Sequence, residues 1–115
     1  MSLAGVTWKA GGVAEISLSG EIDVDNAYEI REAVNGVLTR SRPFRVELDL
    51  SQVTFIDSVG ISALVASFQM AEVSGVKLVV TRPSRFVHRQ LWVTGLLGLF
   101  GAPHPHLPDL RDPVG

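Results

Sequence analysis

The stretch Leu48-Asp49-Leu50-Ser51-Gln52-Val53-Thr54-Phe55-Ile56-Asp57-Ser58-Val59-Gly60-Ile61 decides the fold of this 115-residue chain. Apolar and polar residues alternate across positions 44–51, and a period of two predicts a half-buried strand. Asp57 and Ser58 then precede an apolar helical segment, and both residue types are preferred helix N-caps because their oxygens accept unpaired backbone N–H groups. The stretch is therefore a strand followed by a helix that starts near Asp57 and ends before Gly75.

Strand and helix signals on both sides of this unit complete the pattern. Strands are predicted over residues 6–9, 14–18 and 76–80, with Gly11-Gly12 as the turn of an opening hairpin. Helices are predicted from a cap at Asp23 or Asp25 to about Thr39, and from residues 83–84 to Gly95.

The order of these elements predicts the fold class. Strand–helix–strand units favour parallel pairing with right-handed crossovers, and the opening hairpin adds an antiparallel pair. We expect an α/β fold with a mixed sheet of about four to five strands and helices packed on it. Residues 1–101 form a single domain in this interpretation, and residues 102–115, which hold four of the six prolines, form an irregular tail.

Composition excludes several classes of protein. The formal charge is −2, with ten basic and twelve acidic residues, whereas proteins that bind nucleic acids usually present a basic face. No apolar run approaches the ~20 residues that span a bilayer, and no secretion signal opens the chain, so we expect a cytoplasmic protein without direct membrane insertion. The chain has no cysteine, which excludes disulfides and thiolate metal sites.

The sequence offers little for catalysis. His88 falls in the third predicted helix, and His104 and His106 lie in the proline-rich tail, where a base is poorly held. The pair in the tail could bind a metal only weakly, because a third ligand is not evident. A glycine-rich phosphate loop is absent as well. We therefore expect neither an enzyme nor a protein with a metal or another cofactor.

The second predicted helix has an unusual outward face. At 100° per residue, one line of the helix carries Ser58, Ser62, Val65, Gln69 and Glu72, whereas the opposite side is directed toward the core. An ordinary solvated face carries more Lys and Glu. A small, uncharged face suits the docking of another protein. On this interpretation, Val65→Glu weakens binding and leaves folding nearly normal.

Several motifs together resemble the STAS domain, named for sulphate transporters and anti-sigma factor antagonists. The opening stretch is one of them, and residues 18–23, 76–80 and 94–96 resemble the end of the family's second strand, its later strand and its third-helix exit. The resemblance covers residues 6–100 in the right order. It implies that the chain is like the stand-alone bacterial members, which bind an anti-sigma factor, often a kinase, and so free a sigma factor.

The family's phosphorylation switch is altered in this sequence. The resemblance implies a Ser or Thr acceptor just before the glycine, where this chain has Val59. The chain is then an antagonist without this switch, an antagonist in which Ser58 accepts the phosphate, or a soluble accessory subunit of an ABC-type lipid transporter. A small-molecule-binding domain is a further alternative. The predicted partner-binding residues are Asp23, Asp57, Ser58, Val59, Ile61, Ser62, Val65 and Gln69.

Overall fold

Alternating strands and amphipathic helices give the predicted α/β architecture in the computed structural model, which describes residues 3–100. The elements in chain order are β1 (Ala4–Lys9), β2 (Val13–Ile22), α1 (Tyr28–Ser41), β3 (Arg45–Ile56), α2 (Ser58–Val73), β4 (Lys77–Val80), α3 (Arg85–Val93) and α4 (Leu97–Phe100).

The four strands form one mixed sheet in the order β1-β2-β3-β4. β1 pairs with β2 antiparallel, which confirms the opening hairpin, and β2–β3 and β3–β4 are parallel pairs joined through α1 and α2. The β2–β3 register is interrupted twice, after Ser17 and after Gly20. Beyond these irregularities the two strands still end side by side, with Ile22 opposite Ile56.

One face of the sheet carries the core. Its inward side chains are aliphatic and almost fully buried, and they pack with the buried stripes of α1, α2 and α3. The sheet contributes Ala14, Ile16, Leu18, Val46, Leu48, Leu50, Leu78 and Val80. None of the buried hydrophobic side chains in the described part of the chain is aromatic, and Trp8, Tyr28, Phe44 and Trp92 all lie at the surface.

The other face of the sheet carries an ion-pair network. Lys9 Nζ lies 2.9 Å from Glu47 Oε1, and Arg45 donates to the same carboxylate at 2.6 Å. Arg82, which follows β4, reaches Asp49 Oδ2 at 2.6 Å. Because Glu47 and Asp49 are buried between longer cations, both charges are compensated where they are desolvated.

These contacts shift pKa values in the expected directions. The hydrogen bond from Lys9 is the largest influence on Glu47 and lowers the pKa of its carboxyl group. The same bond raises the pKa of Lys9. Burial raises the pKa of Asp49, but hydrogen bonds from Ser51 and the charge of Arg82 outweigh it, so that this pKa is also lowered.

Three details differ from the expectations. α1 begins at Tyr28, and Ala27 at its N-cap makes no side-chain cap hydrogen bond, so the prediction that Asp23 or Asp25 caps this helix is wrong. β3 starts after the exposed Phe44 and continues to Ile56, five residues beyond the predicted end. The fourth helix was not predicted. The predicted tail at 102–115, with His104 and His106, lies outside the described residues.

Candidate functional site

The candidate site lies where β2 and β3 end. Parallel strands bring their carboxyl ends to the same edge of a sheet, and here Ile22 and Ile56 are register partners. The backbone N–H of Asp57 donates to the carbonyl of Ile22 at 3.2 Å, which ties the start of α2 to the end of β2. The segments that follow the two strands are therefore held next to each other.

Asp57 fixes the start of α2. Its extended backbone (φ −99°, ψ −174°) marks the N-cap, and its Oδ1 accepts the N–H of Gly60 at 2.9 Å. Its carbonyl accepts the first helical N–H, from Ile61, at 2.9 Å. The predicted cap is confirmed. The Asp57 carboxylate thus caps the N-terminus of α2, while Ser58 and Val59 are exposed in the first turn.

Gly60 is required by close packing. A Cβ atom at this position would lie 2.6 Å from Cγ1 of Ile56 and 2.8 Å from Cγ2 of Ile22, well inside van der Waals contact. The lack of a side chain therefore lets the first turn of α2 rest directly on the two strand ends. This explains in physical terms why glycine follows Val59.

Asp23 organises the neighbouring loop rather than a helix cap. Its Oδ1 accepts the N–H of Asp25 at 3.0 Å, and its carbonyl accepts the N–H of Ala27 at 2.9 Å. Asn26 closes the loop by accepting the Asp23 N–H at 2.9 Å and donating to the Glu21 carbonyl at 2.8 Å. The loop between β2 and α1 is thus held by its own hydrogen bonds beside the α2 N-terminus.

Apolar side chains surround this edge. Val59 is 42% exposed in the first turn of α2, and Val24 in the neighbouring loop is exposed further. Phe55, at the end of β3, is also exposed, and its ring centroid lies 5.5 Å from that of the half-buried Phe86. Val24, Phe55 and Phe86 were missed as site residues, because their exposure depends on the tertiary arrangement and not on a local motif.

The outward face of α2 largely follows the helical periodicity. Ser58, Ser62, Gln69 and Glu72 are exposed, and the opposite side is buried as expected. Val65 differs, because it is only half-exposed and packs against the core, as Ile61 does. Val65→Glu would therefore disturb packing as well as the surface, and the expectation that it leaves folding nearly normal is withdrawn.

The predicted residues therefore divide into two groups. Asp23, Asp57, Ser58 and Val59 come together at the sheet edge, whereas Ile61, Ser62, Val65 and Gln69 continue along α2 away from it. The edge is also acidic, with Glu21 and Asp25 exposed beside Asp23 and no basic residue in the first turn of α2. This is a surface that can bind a partner through apolar contacts with a negatively charged border.

Three other features of the described residues bear on function: metal ligands, membrane-spanning helices and surface grooves. Among residues 3–100, no three His, Asp or Glu side chains are grouped so as to hold a metal ion. Over the same range, no helix combines the length and apolar character needed to cross a membrane. A shallow groove of about 290 Å³ lies between α1 and α2, lined by Tyr28, Arg31, Glu32, Asn35 and Met70, on a different part of the surface.

Comparison with known proteins places this geometry in a family. The sequence model of the STAS domain family matches residues 7–110. The chain is 34% identical over 103 residues to the anti-sigma-F factor antagonist RsfB of Mycobacterium tuberculosis, covering 87% of this chain and 83% of that protein.

Solved structures share the fold. The crystal structure of an anti-sigma factor antagonist from Mycobacterium paratuberculosis has a TM-score of 0.73 at 30% identity, covering 96% of this chain and 89% of that one. SpoIIAA in its unphosphorylated form also has a TM-score of 0.73, over 96% of this chain and 95% of its own, but at 18% identity it supports the fold alone.

Proposed function

Because the chain belongs to the STAS domain family, we propose that it is an anti-sigma factor antagonist, a regulatory protein that acts in the cytoplasm by binding an anti-sigma factor. The observation that carries the proposal is its 34% identity to an anti-sigma-F factor antagonist across most of both chains. The exposed apolar edge at the start of α2 supports a role in binding.

The contact surface in this proposal centres on the first turn of α2. Val59 supplies an exposed apolar centre, Ser58 and Ser62 leave room for close approach, and Asp23 borders the surface. Interfaces of this type combine a desolvated apolar centre with a polar border. Asp57 acts indirectly, because its carboxylate is engaged with the helix end and positions the residues that follow.

The binding experiment compares two substitutions of the same chemistry on one helix. The anti-sigma factor is recovered from cells of the native species with the tagged chain, identified by mass spectrometry, purified and titrated against variants. Val59→Glu places a charge in the apolar centre, and Val73→Glu is the matched control, because Val73 is 90% exposed at the other end of α2.

We expect Val59→Glu to weaken binding by about tenfold or more, since a desolvated charge at an interface centre costs well over ~1.4 kcal/mol. Val73→Glu leaves affinity unchanged. Glutamate is favourable in a first helical turn, so the loss at position 59 does not arise from unfolding. Recovery of no anti-sigma factor, or equal affinity of both variants, would contradict the proposal.

Phosphorylation is the second part of the proposal. Val59 cannot accept phosphate, so control at this position is lost, and Ser58 is the exposed hydroxyl next to it at the first position of α2. A helix N-terminus tolerates a phosphate there, while the charge and bulk of the phosphate oppose partner binding next to the apolar centre at Val59. Intact-mass measurement after incubation with the recovered partner and Mg-ATP tests this. A phosphate that persists in Ser58→Ala would exclude Ser58 as the acceptor.

A further inference from the structure

β1 is the outermost strand of the sheet formed by the described residues. The N–H of Ser19 donates to the carbonyl of Leu3 at 3.2 Å, so this pair is hydrogen-bonded across the hairpin. In an antiparallel ladder, hydrogen-bonded and non-hydrogen-bonded pairs alternate. Counting along the register, the backbone groups of Gly5, Thr7 and Lys9 face β2, whereas those of Val6 and Trp8 point outward from the sheet edge.

The same two residues also expose apolar side chains. Val6 and Trp8 are 45% and 49% exposed, and both lie on the sheet face that carries the core, opposite Ile16 and Ala14. The outward backbone groups and exposed side chains of these two residues form a short, apolar strand edge, and Lys9 is the one charged residue of the strand. Edges of this kind readily pair with another strand.

We propose that β1 is a self-association surface, on which two copies of this chain pair antiparallel about a twofold axis at Thr7. In this register Val6 lies opposite Trp8 of the second copy, and Trp8 lies opposite its Val6. These are pairs of residues whose backbone groups face outward, so each exchanges two hydrogen bonds, four in all. Thr7 then faces its own symmetry mate in a non-hydrogen-bonded pair.

The self-complementarity of the edge identifies a second copy as the occupant. An aromatic residue opposite a β-branched one is a favourable cross-strand pair, and the symmetry produces two such pairs. Lys9 lies opposite Gly5 of the second copy, so the two Lys9 charges are not placed opposite each other and do not repel at close range. A twofold interface requires such a self-matching patch. Because a single strand buries less than the ~1,000 Å² of stable interfaces, the dimer is weak and depends on concentration.

The register can be tested with cysteines, because the chain has none of its own. Residue 7 faces its mate at a Cα separation of about 4.5 Å, within the range that a disulfide bridges. Gly5→Cys is the matched control on the same strand and sheet face, since an added Cβ there meets nothing within 4 Å. Its two copies would stand about 14 Å apart in this register.

Under mild oxidation at high protein concentration, we expect Thr7→Cys to form a disulfide-linked dimer and Gly5→Cys to remain at least about tenfold less crosslinked. Equal crosslinking of both variants would show random collision and overturn the proposal. The same conclusion follows if neither variant crosslinks while both retain the circular dichroism of the wild type.

Sedimentation equilibrium of the unmodified chain provides an independent measurement. Val6→Pro removes an outward N–H without breaking a hydrogen bond to β2, and proline is tolerated at such edge positions. It deletes two of the four intermolecular hydrogen bonds, so the dimer dissociation constant rises about tenfold or more. Val6→Thr, which keeps the N–H and the branched shape, is the control.

If Val6→Pro lowers the folding stability, Val6→Lys tests the same edge through charge. A wild-type chain that stays monomeric up to about millimolar concentration, where even weak pairs associate, overturns the proposal. So does a dimer that Val6→Pro and Val6→Lys leave intact. If a different protein covers the β1 edge and a second copy does not, β1 is assigned to that partner and the self-association proposal is overturned.

Discussion

Gly60→Ala adds a single methyl group where the first turn of α2 packs on the ends of β2 and β3. The new Cβ would lie 2.6 Å from Ile56 Cγ1 and 2.8 Å from Ile22 Cγ2, against an optimum of about 3.5–4.0 Å between carbon atoms. Both isoleucines are almost fully buried, so neither side chain can turn toward solvent. Overpacking of this kind costs about 1–3 kcal/mol. Alanine regains up to about 1 kcal/mol of helix propensity. We expect a net loss of about 1–2 kcal/mol.

The matched control is Gly36→Ala, within α1. Its Cβ would approach only the guanidinium group of Arg40, with Nη2 nearest at 3.0 Å, and this exposed, flexible side chain can move aside. The helix propensity gain then dominates, and we expect a stabilisation of about 0.5–1 kcal/mol. The same substitution thus changes stability in opposite directions at the two positions.

Urea denaturation followed by far-ultraviolet circular dichroism measures both effects, with equal slopes as the check that only stability changed. The melting temperature should change by about 4 °C for each kcal/mol. The reasoning fails if Gly60→Ala is as stable as the wild type within about 0.5 kcal/mol, the usual scatter of harmless substitutions. It fails equally if Gly36→Ala is destabilised as much as Gly60→Ala.

Substitutions at three further residues test other contacts by the same urea assay. Asp57→Ala should cost about 1 kcal/mol by removing the α2 cap, whereas Asp57→Asn retains most of the stability; equal losses would contradict the capping role. The Ser67 hydroxyl is fully buried and lacks a hydrogen-bond partner within residues 3–100, so Ser67→Ala should stabilise by about 1 kcal/mol, and a loss would show that the hydroxyl is satisfied. The lowered pKa of Glu47 contributes stability above its ordinary value of 4.5, and that contribution is lost as the pH falls through the lower folded value. The stability of the wild type should therefore fall more steeply than that of Glu47→Gln as the pH drops below 4.5, and parallel curves would contradict this.

Local rules were sufficient for most of the architecture. Apolar alternation, together with the Gly11-Gly12 turn signal after the first strand, identified the four strands, and the strand–helix order predicted their parallel pairing after the opening hairpin. The start of α2 was also predictable, because the Asp57 cap needs only the three residues that follow it.

Tertiary contacts decided the remainder. Asp23 resembles a helix cap, but its hydrogen bonds close a separate turn with Asn26, and α1 begins later. Val65 lies on the outward line of the helical wheel, but the packing of its neighbours half-buries it. Phe55 and Val24 belong to the candidate site only because the parallel strands β2 and β3 end at the same edge of the sheet. No local pattern in the chain reveals this.

The aliphatic character of the buried hydrophobic side chains in the described part of the chain has a consequence for spectroscopy. Trp8 and Trp92 are both about half exposed, on the outer strand and on α3, so neither indole reports on the packed interior. The fluorescence of each tryptophan therefore reports on its own surroundings and not on the folding of the whole domain. The emission of Trp8 should shift to the blue when a strand covers the β1 edge, whereas Trp92 supplies a constant background. Replacing Trp92 with phenylalanine would leave Trp8 as the single tryptophan, whose emission then reports on that edge in an otherwise unlabelled protein.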